Sequence, residues 1–138
     1  MKFVFKKGLI GITISLVYEG QQVNIENCIL DTGSASTAID IDLVAFNYRI
    51  PARIKRLFGI GGGIQDVICQ CVDTLAIGEK RIPNFELEFG DLKDRLGIGG
   101  FIGNDILSRF NIEINYSNRK PGRTDVTCCL FLRYNKKH

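Results

Sequence analysis

The sequence predicts an all-β fold, and three observations carry the prediction. Stretches rich in Ile, Val, Phe and Thr recur at residues 9–18, 22–30, 36–41, 65–77, 81–89, 111–116 and 126–133, the composition that fits a pleated, half-buried surface. Glu19-Gly20-Gln21 and Gly78-Glu79-Lys80 fall between such stretches, with glycine where a hairpin needs an unusual backbone angle. Only one segment is patterned as a helix: Asn104 or Asp105 can cap it, and Ile106, Leu107 and Phe110 give it a short apolar stripe.

At the N-terminus, Lys2, Lys6 and Lys7 precede an apolar stretch at 8–17, which superficially copies a secretory signal. No small-residue cleavage site follows it. Leu9, Ile12, Ile14 and Leu16 are interleaved with Gly11, Thr13 and Ser15, an alternation that reads as a first strand and is too short for a bilayer-spanning helix. The run Arg53-Ile54-Lys55-Arg56 and the tail Lys136-Lys137-His138 read as solvated surface. Residues 91–96 can form a further helical turn ahead of the glycines at 97, 99, 100 and 103, and 117–125 is the most obvious surface loop.

The 138 residues, 45% hydrophobic and 24% charged, fit one domain over 1–138 with a core of its own. A net charge of +3, with the basic residues scattered, gives no footprint for nucleic acid, and nothing in the sequence calls for a membrane. Cys28, Cys69, Cys71, Cys128 and Cys129 are odd in number and lack the spacing of a disulfide framework, which fits reduced thiols and a cytoplasmic setting. Cys-Gln-Cys is not a zinc spacing, and the single histidine is the last residue; no metal or cofactor is expected.

The chemistry concentrates at Asp31-Thr32-Gly33-Ser34, which follows the apolar run Cys28-Ile29-Leu30 and puts a carboxylate where a buried strand turns sharply. A carboxylate held near a second one shares a proton with it, so that one serves as acid and the other as base. Taken alone, the tetrapeptide is also an ordinary turn between strands. It lacks the lysine of the phosphorylated-aspartate motif Asp-Lys-Thr-Gly, and neither glycine cluster has nucleotide-binding spacing.

Three ordered segments decide between those readings. Leu30-Asp31-Thr32-Gly33-Ser34-Ala35-Ser36-Thr37-Ala38-Ile39, the cluster Phe58-Gly59-Ile60-Gly61-Gly62-Gly63-Ile64, and Phe101-Ile102-Gly103-Asn104-Asp105-Ile106-Leu107 together resemble the retropepsin-like aspartic proteases, in particular their small stand-alone bacterial members, over residues 9–116. The resemblance implies an acid-protease-like closed β-barrel of a single lobe, with one short helix and a glycine-rich flap hairpin (Gly59, Ile60, Gly61, Gly62, Gly63, Ile64) that closes over peptide. It implies an aspartic endopeptidase in which Asp31 is catalytic and a homodimer brings two copies of it together, since the chain holds one Asp-Thr-Gly. Thr32 would bond across the two-fold interface, Gly33 would admit the peptide backbone, and Ser34 would bond the outer oxygen of the carboxylate. Ile29, Phe101, Ile102 and Gly103 are expected along the groove wall, and residues 97–100 as a wall or strand approach.

Asp105 is the rival acid, expected in helix capping or a structural hydrogen bond, while Asp40, Asp42, Asp66, Asp73, Asp91 and Asp94 are expected at exposed positions or turns. Residues 117–138 extend beyond the family pattern as a loop and an additional strand. Two readings from other classes compete: a catalytically silent peptide-binding module, which would have no need of the acid, and a structural dimerisation domain, which would need neither groove nor flap.

Overall fold

A computed structural model describes residues 1–59, 61–117 and 126–134. Ile60, residues 118–125 of the expected loop, the basic tail, and the thiols of Cys128 and Cys129 lie outside the described residues. Ten strands form one sheet: β1 (Lys2–Lys6), β2 (Leu9–Tyr18), β3 (Gln21–Leu30), β4 (Ala38–Asp40), β5 (Arg53–Phe58), β6 (Ile64–Ile77), β7 (Lys80–Gly90), β8 (Gly100–Ile102), β9 (Phe110–Asn115) and β10 (Val126–Tyr134). The strand order is β5-β6-β7-β4-β8-β3-β2-β1-β10-β9, and a further β2–β6 pairing joins β6, β7, β4, β8, β3 and β2 into a ring. Two arms leave the ring: β5 along β6, and β1-β10-β9 from β2. The expected closed barrel is therefore a ring-like sheet with open-ended arms. Its core gathers Ile14, Leu16, Ile25, Ile39, Leu75, Leu87, Phe89, Ile102 and Ile106, all fully buried.

All seven expected strands form, and three more accompany them. β1 alternates outward Lys2 and Lys6 with buried Phe3 and half-buried Phe5, so its lysines disguise a strand that precedes the one expected first. β5 carries Arg53, Lys55 and Arg56 on an outermost strand whose register to β6 runs from Arg53↔Cys69 to Phe58↔Ile64; long cations are a common guard of such edges. β8 is three residues inside a glycine-rich stretch, and it forms because β3 and β4 pair with it on either side.

The helical turn expected within 91–96 forms as α1 (Lys93–Leu96) and the patterned helix as α2 (Asn104–Leu107), so the one short helix of the expected fold becomes two, with a 3-10 turn added at Ile41–Leu43. Phe110 does not extend α2; it opens β9 opposite Tyr134, with the two rings 5.0 Å apart. Asp40, expected at an exposed position or a turn, does cap the 3-10 turn, but it is fully buried. Its carboxylate accepts from the backbone N–H groups of Asp42 (2.9 Å), Leu92 (2.9 Å) and Lys93 (2.6 Å), which supplies the partners that a buried carboxylate and the first N–H groups of α1 both need. Among the described residues no helix is long and apolar enough to cross a membrane.

One irregularity sets the phase of the strand that leads to Asp31. On β3 the inward residues are Ile25 and then Cys28, with two residues between them where alternation allows one. The register to β2 shifts at that point, from Ile14↔Ile25 to Ile12↔Cys28, and Asn27 takes a positive φ of 54°. This is a β-bulge, which bends a strand and re-aims the residues beyond it. The bulge is pinned from outside: Gly99 N donates to the Asn27 carbonyl (3.1 Å) and Asn27 Nδ2 donates to the Gly97 carbonyl (3.1 Å).

Burial pushes the Cys28 thiol from 9.0 up to about 12. Because the folded value lies above the unfolded one, this group's contribution to stability is complete below pH 9.0 and is lost as pH rises toward about 12. Native protein treated with iodoacetamide at neutral pH should be alkylated at exposed Cys71 and spared at buried Cys28. Peptide mass mapping reads this directly, and equal labelling of the two would contradict the placement of Cys28 in the core.

Candidate active site

Asp31 stands where β3 ends. The strand runs parallel to β8 in the register Ile29↔Phe101 and Leu30↔Ile102, and Asp31 N donates to the Ile102 carbonyl at 2.9 Å. The chain then turns: Ser34 N donates to the Asp31 carbonyl (3.2 Å), and Gly33 N donates to Asp31 Oδ1 (2.9 Å). A backbone N–H on the carboxylate fixes its orientation. Asp31 is half-buried while Thr32 and Gly33 are exposed, so the turn presents the acid at the surface.

The loop after the turn is knitted to α2. Asn104 N and Asp105 N, two donors that the start of a helix leaves unpaired, donate to the carbonyls of Ser34 (2.8 Å) and Ala35 (3.1 Å). Asn104 Nδ2 donates to the Thr32 carbonyl at 2.7 Å. Asp105 accepts from Thr37 N (3.0 Å) and from Thr37 Oγ1 (2.7 Å), and Thr37 Oγ1 in turn accepts from Gly103 N (2.9 Å). Only glycine fits at 103, because a Cβ there would collide with the Ser36 carbonyl. Both oxygens of Asp105 are thus engaged within the fold, and its helix has Gly103 as N-cap with no side-chain cap.

Ser34 departs from expectation. Its hydroxyl donates to the Ser36 carbonyl at 2.7 Å rather than to Asp31, since the loop doubles back over Gly103 and brings that carbonyl within reach. The groove wall is also redrawn. Ile102 is fully buried and Gly103 lies beneath the loop; both support the site from below, and Phe101 is half-buried. Ile29 lines a cavity of about 640 Å³, with Leu9, Leu96 and Ile98 as further apolar walls and Lys7 and Glu26 among its charged ones. Ile29, on β3, precedes Asp31 by two residues, and the cavity's lining comes from β1, β2, the bulge of β3 and residues 96–98.

The glycine cluster forms the tip of the β5–β6 hairpin. Gly59 N donates to the Gly63 carbonyl (2.7 Å), Gly62 N donates to the Gly59 carbonyl (3.2 Å), and Gly61 and Gly62 take φ of 102° and 87°, a region that side chains disfavour. Phe58 and Ile64 flank the tip at 76% and 59% exposure, leaving apolar surface uncovered there. Among the described residues no group of His, Cys, Asp and Glu is placed to hold a metal ion.

Sequence reasoning missed the cavity's Leu9 and Leu96, and the loop-fixing roles of Thr37 and Asn104. Thr37 lies in the Asp-Thr-Gly segment and Asp105 in the segment that begins at Phe101, so a hydroxyl in one motif opposite an acid in the other was the available signal.

An all-β fold of the acid-protease kind is what this architecture defines. Among solved structures the chain is similar to the crystal structure of a retropepsin-like aspartic protease from Rickettsia conorii, with a TM-score of 0.53 and 14% identity over 96% of this chain and 91% of that one. At that identity the likeness is one of fold. No protein-family model matches the chain, and no curated protein does.

The two acids should separate cleanly under mutation. Asp105→Ala, which strips Thr37 of the acceptor for two donors, should cost roughly 2–4 kcal/mol, whereas Asp31→Asn should stay within about 0.5 kcal/mol of wild type. Urea unfolding of both variants measures this, and the reverse ranking would contradict the structural assignment of Asp105.

Proposed function

We propose that the chain is the subunit of a homodimeric aspartic endopeptidase, in which Asp31 from each of two copies activates one water molecule for attack on a peptide carbonyl. The observation that carries this reading is the presentation of Asp31: a single carboxylate, oriented by the Gly33 N–H, on an exposed Asp-Thr-Gly turn that the fold holds rigidly from behind. A lone carboxylate is a poor catalyst of amide hydrolysis. Two of them, brought together on a two-fold axis, share one proton because like charges at hydrogen-bond distance cannot both ionise. The chain holds one such turn, so the second acid comes from a second copy.

The chemistry then balances without a cofactor. The ionised Asp31 takes a proton from the water as its oxygen bonds to the carbonyl carbon, and the protonated Asp31 of the other copy gives its proton to the carbonyl oxygen. Collapse of the resulting diol breaks the C–N bond, with a proton passing to the leaving amine and one carboxyl again protonated. The peptide lies extended, pairing through its backbone as an added strand. The glycine tip of the β5–β6 hairpin closes over it as a flap, a role suited to a tip unencumbered by side chains. The cavity beside Ile29, with its Leu9, Leu96 and Ile98 walls, is suited to a large apolar side chain of the peptide.

Cleavage of an unbiased peptide library tests the reading, with sedimentation run in parallel to follow the dimer. Wild type should cleave beside large apolar residues, with a rate per subunit that rises with dimer fraction and a bell-shaped pH profile. Asp31→Asn should lower kcat by about a thousandfold or more. A demonstrated dimer that binds library peptides and cleaves none would replace this reading with that of a silent binding module.

A further inference from the structure

We infer that Glu88 is a positioning residue that couples the glycine-tipped hairpin to the loop carrying Asp31, holding Lys55 of β5 with one carboxylate oxygen and Ser36 of the loop with the other. As a coupling between a flap and an active site, it rests on the function proposed above.

Glu88 is 4% exposed, and a carboxylate removed from water is costly unless each oxygen is matched. Oε1 accepts from Lys55 Nζ at 2.8 Å, and Oε2 accepts from Ser36 Oγ at 3.0 Å. The backbone reinforces the second contact: Glu88 N donates to the Thr37 carbonyl (3.3 Å), and Glu88 lies opposite Ala38 where β7 pairs with β4. From Ser36 the connection continues to Asp31. Ser34 Oγ donates to the Ser36 carbonyl (2.7 Å), and Ser34 N donates to the Asp31 carbonyl (3.2 Å).

On the hairpin side, β5 pairs with β6 alone. Its other ion pairs, Arg53 with Glu86 and Arg56 with Asp66, join side chains more than half exposed and contribute little. Lys55 differs because its partner is buried. Lifting β5 away would leave Glu88 with one matched oxygen and an uncompensated charge, a penalty of a different order from breaking a surface pair. The hairpin is therefore favoured in the position where Lys55 reaches Glu88, and any ligand that shifts the hairpin alters the support of Ser36. By linkage the effect is reciprocal.

Backbone amide resonances and hydrogen exchange of the full-length protein test this. Lys55→Met should move the Gly33, Ser34 and Thr37 amides and speed exchange at Ser34 about tenfold, while Arg56→Met, on the same strand, leaves them in place. Ser36→Ala should conversely shift the amides of β5. Changes confined to β5 and β6 in Lys55→Met, or equal effects from Arg56→Met, would overturn the inference. None of the three substitutions removes a buried apolar group, so all three variants should fold. The readout needs no turnover, so a wild type without peptidase activity would count against the proposed function alone.

Discussion

Thr37 donates twice to the carboxylate of Asp105, once from its backbone and once from its hydroxyl, and the placement of Asp31 depends on that clamp. The clamp ties the loop after β3 to the start of α2, where Asn104 N and Asp105 N find the carbonyls of Ser34 and Ala35. A helix of four residues cannot stabilise itself; here its unpaired donors become the anchor points of the loop. The exchange satisfies both parties. The turn that bears Asp31 is then free to face outward with Thr32 and Gly33 exposed, since its conformation is fixed from below.

The ring of strands makes the clamp possible. β8 lies between β3, to which it is parallel, and β4, to which it is antiparallel, so the segments that precede and follow the Asp31 loop flank one short strand. That arrangement needs small residues on β8 and around it. A Cβ at Gly99 would strike the Glu26 carbonyl, and the bulge at Asn27 turns that carbonyl's neighbour toward the Gly97–Gly99 backbone. Bulge, glycines and parallel pairing are one solution to a single packing problem.

Much of this was legible in the sequence, and the exceptions share a cause. The seven expected strands are visible because alternation and β-branched residues are local signals. β5 was read as a charged surface run because its strand character comes from pairing with β6, and β8 was hidden because three residues among glycines carry no alternation. Asp31 could be found from its own tetrapeptide and the strand before it. The partner of Ser34, the burial of Asp40 and the Lys55–Glu88–Ser36 connection could not, since each joins residues that only the folded backbone brings together. The bulge occupies a middle ground: the step from Val23 and Ile25 to Cys28 and Leu30 is a break in alternation, readable once a strand is expected to run through it.

Fold and chemistry carry different weight in the functional reading. The likeness to the Rickettsia conorii protease, at 14% identity, speaks to architecture; the proposed hydrolysis would rest on Asp31 and on a second copy of it. The most direct measurement is subunit mixing: wild type and Asp31→Asn combined in varied ratio at fixed total concentration, with peptide cleavage recorded after exchange. If each active site needs the carboxylates of both chains, activity should fall as the square of the wild-type fraction. A linear fall would show that one chain's Asp31 suffices and would contradict the shared-carboxylate account.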